Sequence, residues 1–533
     1  MKKVLIILII SIFSCDLFTK KSGDNNESQS YNSGLKQTTS TDDLGMNLGG
    51  IEDWSSAWVF VDRMKMAREW IPYDADGNGG WESDAEVPTG SNGYPLQVPF
   101  GETPQAVRTL VFRGFDTYPS GNYTLIFEGE GEVTLSFDGR GEFTEPDTPH
   151  SFEIDSPSTG GLLLSITRSN VNNPIRNIRI IMPGFENNYE EQIFHPLFLE
   201  RLEGFKVLRF MDWGKTNNSP VISWEDRTTP HFYTQTLDTG VAPEYIVSLS
   251  NRLDIDPWIC IPHLADDNYV KELAKLLVQN LDVSRKIYVE YSNEIWNNQF
   301  SQAHYCTDQG MALGLSSNEF QSRLYYNSRR SAEIFKIFEE EIDDNSRIVR
   351  VIASQAANSW TAEQLLEGLN DSSINPTSAR ADQLAIAPYF GGSIADDIVE
   401  NGEVDSITIS EILERAEDAV ILQTGVWTRE NKNVADDFNV GLITYEGGQH
   451  LVGTGGNENN EILTEKLILA NKDPYMKDIY SKMFDTWFQN GGSLFSVFSN
   501  IGSSSKWGSW GVLEYQNQPT EHAPKFDAIL DQF

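Results

Sequence analysis

Two glutamates end strand-like runs that lie far apart in the chain: Glu294 in Lys286-Ile-Tyr-Val-Glu-Tyr-Ser-Asn-Glu-Ile-Trp296, and Glu446 in Val440-Gly-Leu-Ile-Thr-Tyr-Glu-Gly-Gly448. Two carboxylates arriving from separate strands suit acid/base and nucleophilic chemistry at an acetal carbon. One must stay protonated to supply a leaving oxygen, and the other must stay ionised to attack. In a barrel, alternate strand residues face inward and sites form where strands run into the following loops. On strict alternation Tyr288, Glu290, Ser292 and Glu294 share the inner face, as do Leu442, Thr444 and Glu446. The plain alternative is a pair of exposed strand-end residues.

Other side chains stand where they could assist. Arg209 lies in a strand-like run, free to pair with either Glu446 or Glu290. His263 and Tyr389 end two further runs, and Trp213, Trp224, Trp296, Trp360, Trp507 and Trp510 supply flat apolar faces. Partly exposed rings beside polar groups are what a carbohydrate cleft needs, although any one tryptophan is more often packing. Asp74, Asp76 and Asn78 resemble the opening of a calcium loop, but Ala85 stands where its bidentate glutamate belongs, so a polar turn is the better reading. No zinc cluster, phosphate loop, dinucleotide motif or nucleophile elbow occurs in its required context, and no cofactor is expected.

The elements that must position these residues follow an alternating pattern. A short strand near Gly45 is followed by strand candidates at 206–213, 256–263, 286–293, 347–355, 383–390, 440–446 and 492–499. Helix candidates lie at 243–252, 268–281, 317–342, 361–369, 409–422 and 461–489, with Ser316 and Glu319 at capping-box spacing. Eight strands alternating with helices predict an α/β fold, a TIM (β/α)8 barrel, with a doubly wound sheet as rival. Between the first and second strands, short runs separated by Gly, Pro, Asn and Asp predict an inserted all-β, sandwich-like domain. Helix candidates at 55–70 and 193–202 flank it. If the second is the first barrel helix, the insertion leaves from the face where strands end; if the first is, from the opposite face.

The Asn293-Glu294 pair ending a fourth strand, and Glu446 ending a seventh, resemble the clan of retaining glycoside hydrolases built on the TIM barrel. The likeness spans the barrel without its insertion and rests on strand order more than on short motifs. It implies that Glu446 is the nucleophile and Glu294 the acid/base in a double displacement on a polysaccharide or oligosaccharide. It also implies that Arg209 keeps Glu446 ionised, that Asn293 binds the sugar hydroxyl beside the reacting carbon, and that Trp507 or Trp510 floors the substrate subsite. His263, Tyr389 and Trp296 are expected to line the same site, with a core or loop histidine as the alternative for His263.

Composition bounds the rest. Against 40 basic residues stand 78 acidic ones, a net charge of -38 that repels nucleic acid and anionic membranes and favours a neutral or weakly charged partner, with a salt-adapted, solubilising surface as the plain alternative. Met-Lys-Lys followed by an apolar run ending at Cys15 predicts an export signal over 1–15, with Cys15 the lipidated residue of a bacterial lipoprotein, at the cell envelope or surface, or else a secreted protein. Residues 16–43 read as a tether, 44–73 as the first barrel strand and helix, 74–190 as the β domain and 191–533 as the remainder of the barrel. Membrane contact is expected only through the lipid. Cys260 and Cys306 form no framework, and a bridge between them is left open, as are the oligomeric state, the glycan and endo or exo action. The competing function is a non-catalytic glycan-binding lipoprotein on the same scaffold.

Overall fold

The computed structural model describes residues 44–533 apart from Asn78; the segments expected to be an export signal with Cys15 and a tether lie outside the described residues. Eight strands, Leu44–Asn47, Val207–Arg209, Asp256–Ile261, Ile287–Tyr291, Ile348–Ala353, Gln383–Ile386, Gly441–Thr444 and Phe495–Val497, form one sheet. Neighbours are consecutive in the chain and parallel, and the first strand also pairs with the eighth. Between the seventh and eighth, the Thr444 amide donates to the Leu494 carbonyl at 3.0 Å and the Ser493 amide to that of Leu442 at 2.9 Å. The ring therefore closes as a TIM barrel, without the two free edges of a doubly wound sheet.

The strands are shorter than the apolar runs that mark them, because their last residues bend into the loops. Val207, Trp258, Cys260, Val351, Ala385 and Ile443 pack inside the ring. Leu208, Ile259, Ile261, Ile287, Val289 and Leu442 join the larger cluster beneath the helices. That is the two-faced burial of parallel strands covered by helices. On the seventh strand it reverses the expected parity: Ile443 and Tyr445 point inward and Leu442 outward.

Helices Pro243–Leu253, Asp267–Asn280, Glu319–Glu341, Ser359–Asn370 and Ile409–Ala419 fall close to their sequence signals. The cap of the longest differs: Asn318, not Ser316, begins it, its side chain accepting the Gln321 amide at 2.9 Å. The run expected as one helix over 461–489 is two, Glu461–Lys472 and Met476–Gln489, divided at Pro474. Helix Ser301–Ala312 carried no clear periodic signal and was not anticipated.

Between the first and second barrel strands, antiparallel strands from Ile71–Asp74 to Arg176–Ile181 form a five-stranded and a three-stranded sheet. Period-two burial is clear in Gly121–Glu128, where Tyr123, Leu125 and Phe127 point inward. They share one apolar cluster with Val133, Leu164 and Ile166 of the other sheet. The helix expected over 55–70 does not form; only a 3-10 turn, Arg63–Met66, occurs there. Its apolar residues are buried on every side between barrel and sheets, with Phe60 bridged to Phe194 and Asp62 to Ile181, so no one-sided face exists for a helix to use. The first barrel helix is instead Pro196–Glu200, and the chain enters the sheets from the C-terminal end of the first strand. Asp74 accepts the Asp76 amide at 3.0 Å, closing a local turn, and its neighbour Asn78 is outside the described residues. Cys260 and Cys306 are both free and buried.

Candidate active site

The fourth strand ends at Tyr291, and the chain then takes left-handed backbone angles at Ser292 (φ 60°) and Glu294 (φ 42°). Each such non-glycine position costs about 1–3 kcal/mol and persists only where surroundings impose it. Here they turn Glu294 into the barrel mouth. Its Oε1 accepts the Tyr445 hydroxyl at 3.1 Å and its Oε2 the Asn297 amide at 3.0 Å.

Glu446 lies two residues past the seventh strand, on the bend that also lets the preceding Tyr445 face inward. Its Oε1 accepts from Arg209 at 2.8 Å and its Oε2 from the Tyr389 hydroxyl at 3.0 Å. Arg209 makes both pairings foreseen as alternatives, since Nε and Nη2 also grip the two oxygens of Glu290 at 2.9–3.1 Å. Its remaining donors reach Asn47 at 3.2 Å and Asn293 at 2.9 Å. Trp258 donates to Glu290 as well, at 2.8 Å. One guanidinium thus ties together the first, second, fourth and seventh strands.

Asn293 gives its carbonyl oxygen to Arg209 and donates its amide to Asn217 at 3.1 Å. Trp296 and Tyr389 line a narrow cavity with Glu294, Trp427 and His450. Trp510 packs edge-on against Tyr389, Phe498 and His450, whereas Trp507 sits on the rim under Lys506. His263 belongs elsewhere. It packs against Tyr305 and lines a separate hollow with Tyr326 and Arg330, because it follows the third strand by two residues and turns toward the outer helices. Trp213 is core, packed on Phe60 and Phe210; Trp224 lies against Tyr269, and Trp360 against Phe320 on the exterior.

No family model and no curated protein matches the sequence. Among solved structures it is similar to a 4-O-alpha-L-rhamnosyl-beta-D-glucuronidase from Fusarium oxysporum at 10% identity and a TM-score of 0.37, over 63% of this chain and 62% of that one. It is similar also to a GH5 xyloglucanase from Bacteroides ovatus (11%, TM-score 0.34, 77% and 96% of the two chains). A third is a family 1 β-glucosidase from Thermotoga maritima (12%, TM-score 0.33, 63% and 85%). Likeness at this level says nothing of what this chain acts on.

Several residues of the site went unnoticed in the sequence: Asn47, Asn297, Tyr445, Trp427 and His450. Asn297 and Tyr445 had a signal, standing three residues after one glutamate and immediately before the other. His450 had none; it is buried, and neither ring nitrogen has a hydrogen-bond partner among the described residues.

Burial pushes both carboxyls up, and they titrate as a pair. Burial pushes Glu446 up to about 8, and the directly contacting Arg209 cation and Tyr389 hydroxyl oppose that rise, whereas Glu294 accepts from the neutral Tyr445 and Asn297 donors, so of the two Glu446 is the better placed to carry negative charge. A reaction needing Glu446 charged and Glu294 protonated loses rate at low pH as Glu446 gains a proton, and at high pH as Glu294 loses one. Since Glu294 is raised above its ordinary 4.5, the alkaline limb should lie above the usual carboxylate range. The Asn297 amide favours the ionised form, so Asn297→Ala should move that limb to higher pH, as read from kcat/KM against pH.

Proposed function

We propose that this chain is a retaining glycoside hydrolase acting on a polysaccharide or oligosaccharide. The observation that carries the reading is the asymmetric carboxyl pair: Glu446 in contact with the Arg209 cation and the Tyr389 hydroxyl, and Glu294 buried against the neutral Tyr445 and Asn297 donors. In the first step a Glu446 oxygen bonds to the anomeric carbon as the bond to the leaving oxygen breaks, and Glu294 gives that oxygen its proton. In the second, water attacks the same carbon, Glu294 takes the water's proton, and the bond to Glu446 breaks to restore the carboxylate. In this reading Arg209, besides tying four strands together, holds the charge where it is needed. Trp510 and Trp296 offer faces for sugar rings. The reading extends to the chain as a whole: an exported lipoprotein joined through Cys15, a tether, and a catalytic barrel with a β-sandwich domain at 74–190.

The test is a panel of polysaccharides offered to the wild type, Glu294→Gln and Glu446→Gln. Turnover by the wild type is expected on some member. Hydrolysis surviving both substitutions would remove the mechanism, and binding without turnover on every glycan would favour the non-catalytic scaffold. Glu294→Gln should be selective in its damage. Chains with ordinary sugar leaving groups should lose about 10²–10⁴-fold in kcat/KM, while an aryl glycoside with an acidic phenol, which leaves without a proton, should lose far less.

A further inference from the structure

Beyond the third strand lies a hollow of about 550 Å³, lined by His263, Asp267, Tyr305, Tyr326, Arg330 and Glu333 and by neither glutamate of the carboxyl pair. That volume is within the range of small-molecule sites. The loop leaving the third strand supplies His263 and runs into helix Asp267–Asn280. Helix Ser301–Ala312 supplies Tyr305, and helix Glu319–Glu341 supplies Tyr326, Arg330 and Glu333, whose spacings of four and three put them on one face. The Tyr291 hydroxyl, on the last residue of the fourth strand, donates to the His263 carbonyl at 3.0 Å. The hollow therefore adjoins the barrel end that carries Glu294 and Glu446.

His263 is only 4% exposed, yet its Nδ1 has no hydrogen-bond partner among the described residues. Burial holds the ring down to about 4, so near neutral pH it offers one uncharged donor and one acceptor. A buried nitrogen left unpaired is costly, and a ligand hydroxyl would satisfy it. Tyr305 packs edge-on to His263 at 5.5 Å between centroids and to Tyr326 at 6.1 Å, and both tyrosines are half-buried. Such rings join an apolar face to a polar tip, which suits a sugar.

The charges select against anions. Arg330 donates to Asp267 at 2.6 Å, to Glu333 at 3.2 Å and to the Ala265 carbonyl at 3.0 Å, so its charge is already met. With Asp266 also on the wall, three carboxylates stand against one guanidinium. Asp267 uses one oxygen on Arg330 and, with its side chain 75% exposed, offers the other to a hydroxyl.

We infer that this hollow is a second carbohydrate site, taking a short stretch of uncharged sugars, and that it holds long chains while the carboxyl pair cuts them. This rests on the hydrolase reading above and adds to it a site that takes no part in the chemistry. Two sites on one end of the barrel engage one chain in tandem, so the gain falls on long substrates only.

Kinetics on a long neutral polysaccharide and on a short aryl glycoside of the same sugar separate the two sites. Tyr326→Ala should raise KM on the polysaccharide about tenfold, leave kcat within about threefold, and leave both constants on the aryl glycoside within about twofold. Calorimetry of Glu294→Gln with a neutral oligosaccharide should count two bound molecules per chain, and one when Tyr326→Ala is added; a uronate oligosaccharide should not fill the second site. An unchanged polysaccharide KM in folded Tyr326→Ala overturns the inference, as does an equal loss on the aryl glycoside, a single oligosaccharide bound by Glu294→Gln, or a uronate held in the hollow. The hydrolase reading survives all four. If Tyr326→Ala does not fold, Tyr305→Ala takes its place, and the count in Glu294→Gln still decides whether a second site exists. A wild type that cleaves nothing, with Glu294→Gln binding nothing, overturns the hydrolase reading and this inference with it.

Discussion

Replacing Glu446 with glutamine should reduce turnover on any glycan substrate by on the order of 10⁴–10⁶-fold while leaving the fold intact. The amide is the same size and can still meet Arg209 through its oxygen and Tyr389 through its nitrogen, so the bend after the seventh strand keeps its contacts. What disappears is the anion that attacks the anomeric carbon. Glutamine also removes a like charge from the neighbourhood of Glu294, so that carboxyl should titrate lower than in the wild type. Residual rate combined with an unchanged thermal unfolding profile separates a chemical loss from a structural one.

Arg209→Met should be the most damaging single change to stability within the barrel, by about 3–5 kcal/mol. The guanidinium is fully buried and bound to two carboxylates, Glu290 and Glu446, which have no other cation in hydrogen-bond contact among the described residues. Removing it leaves two buried carboxyls that must either remain charged without a partner or take up protons. Glu290→Gln in the same chain should recover part of the stability, since only one carboxyl then remains uncompensated. Activity should not return with it, because Glu446 without Arg209 keeps its proton. Urea unfolding of the two variants against the wild type measures the first effect, and kcat the second.

Much of this arrangement was readable in the chain because it follows from period and order. Eight strand runs and their helices fixed which loops gather at one end, and Glu294 and Glu446 fell at the fourth and seventh strand ends. Inward facing by simple alternation was right for Glu290 and wrong for the seventh strand, where Ile443 and Tyr445 face inward and Glu446 reaches the site from the bend beyond. Alternation holds only while the backbone stays extended, and positive φ at Ser292 and Glu294 breaks it as well. His263 was misplaced for a related reason, since two residues past a strand end the side chain follows the loop. The segment at 55–70 failed differently: apolar spacing resembled a helix, but burial on every side came from the antiparallel sheets, a tertiary effect that local spacing does not carry. His450 had no sequence signal because a lone polar residue gains meaning only from what it faces.

The central claim is that Glu446 attacks and Glu294 assists, so that configuration at the anomeric carbon is inverted twice. Proton NMR of the first product released from a glycan the wild type cleaves, recorded before mutarotation, tests it most directly. The account predicts a product with the anomeric configuration of the bond that was cleaved. Release of the opposite anomer would contradict it, because a single displacement by water leaves no covalent role for Glu446.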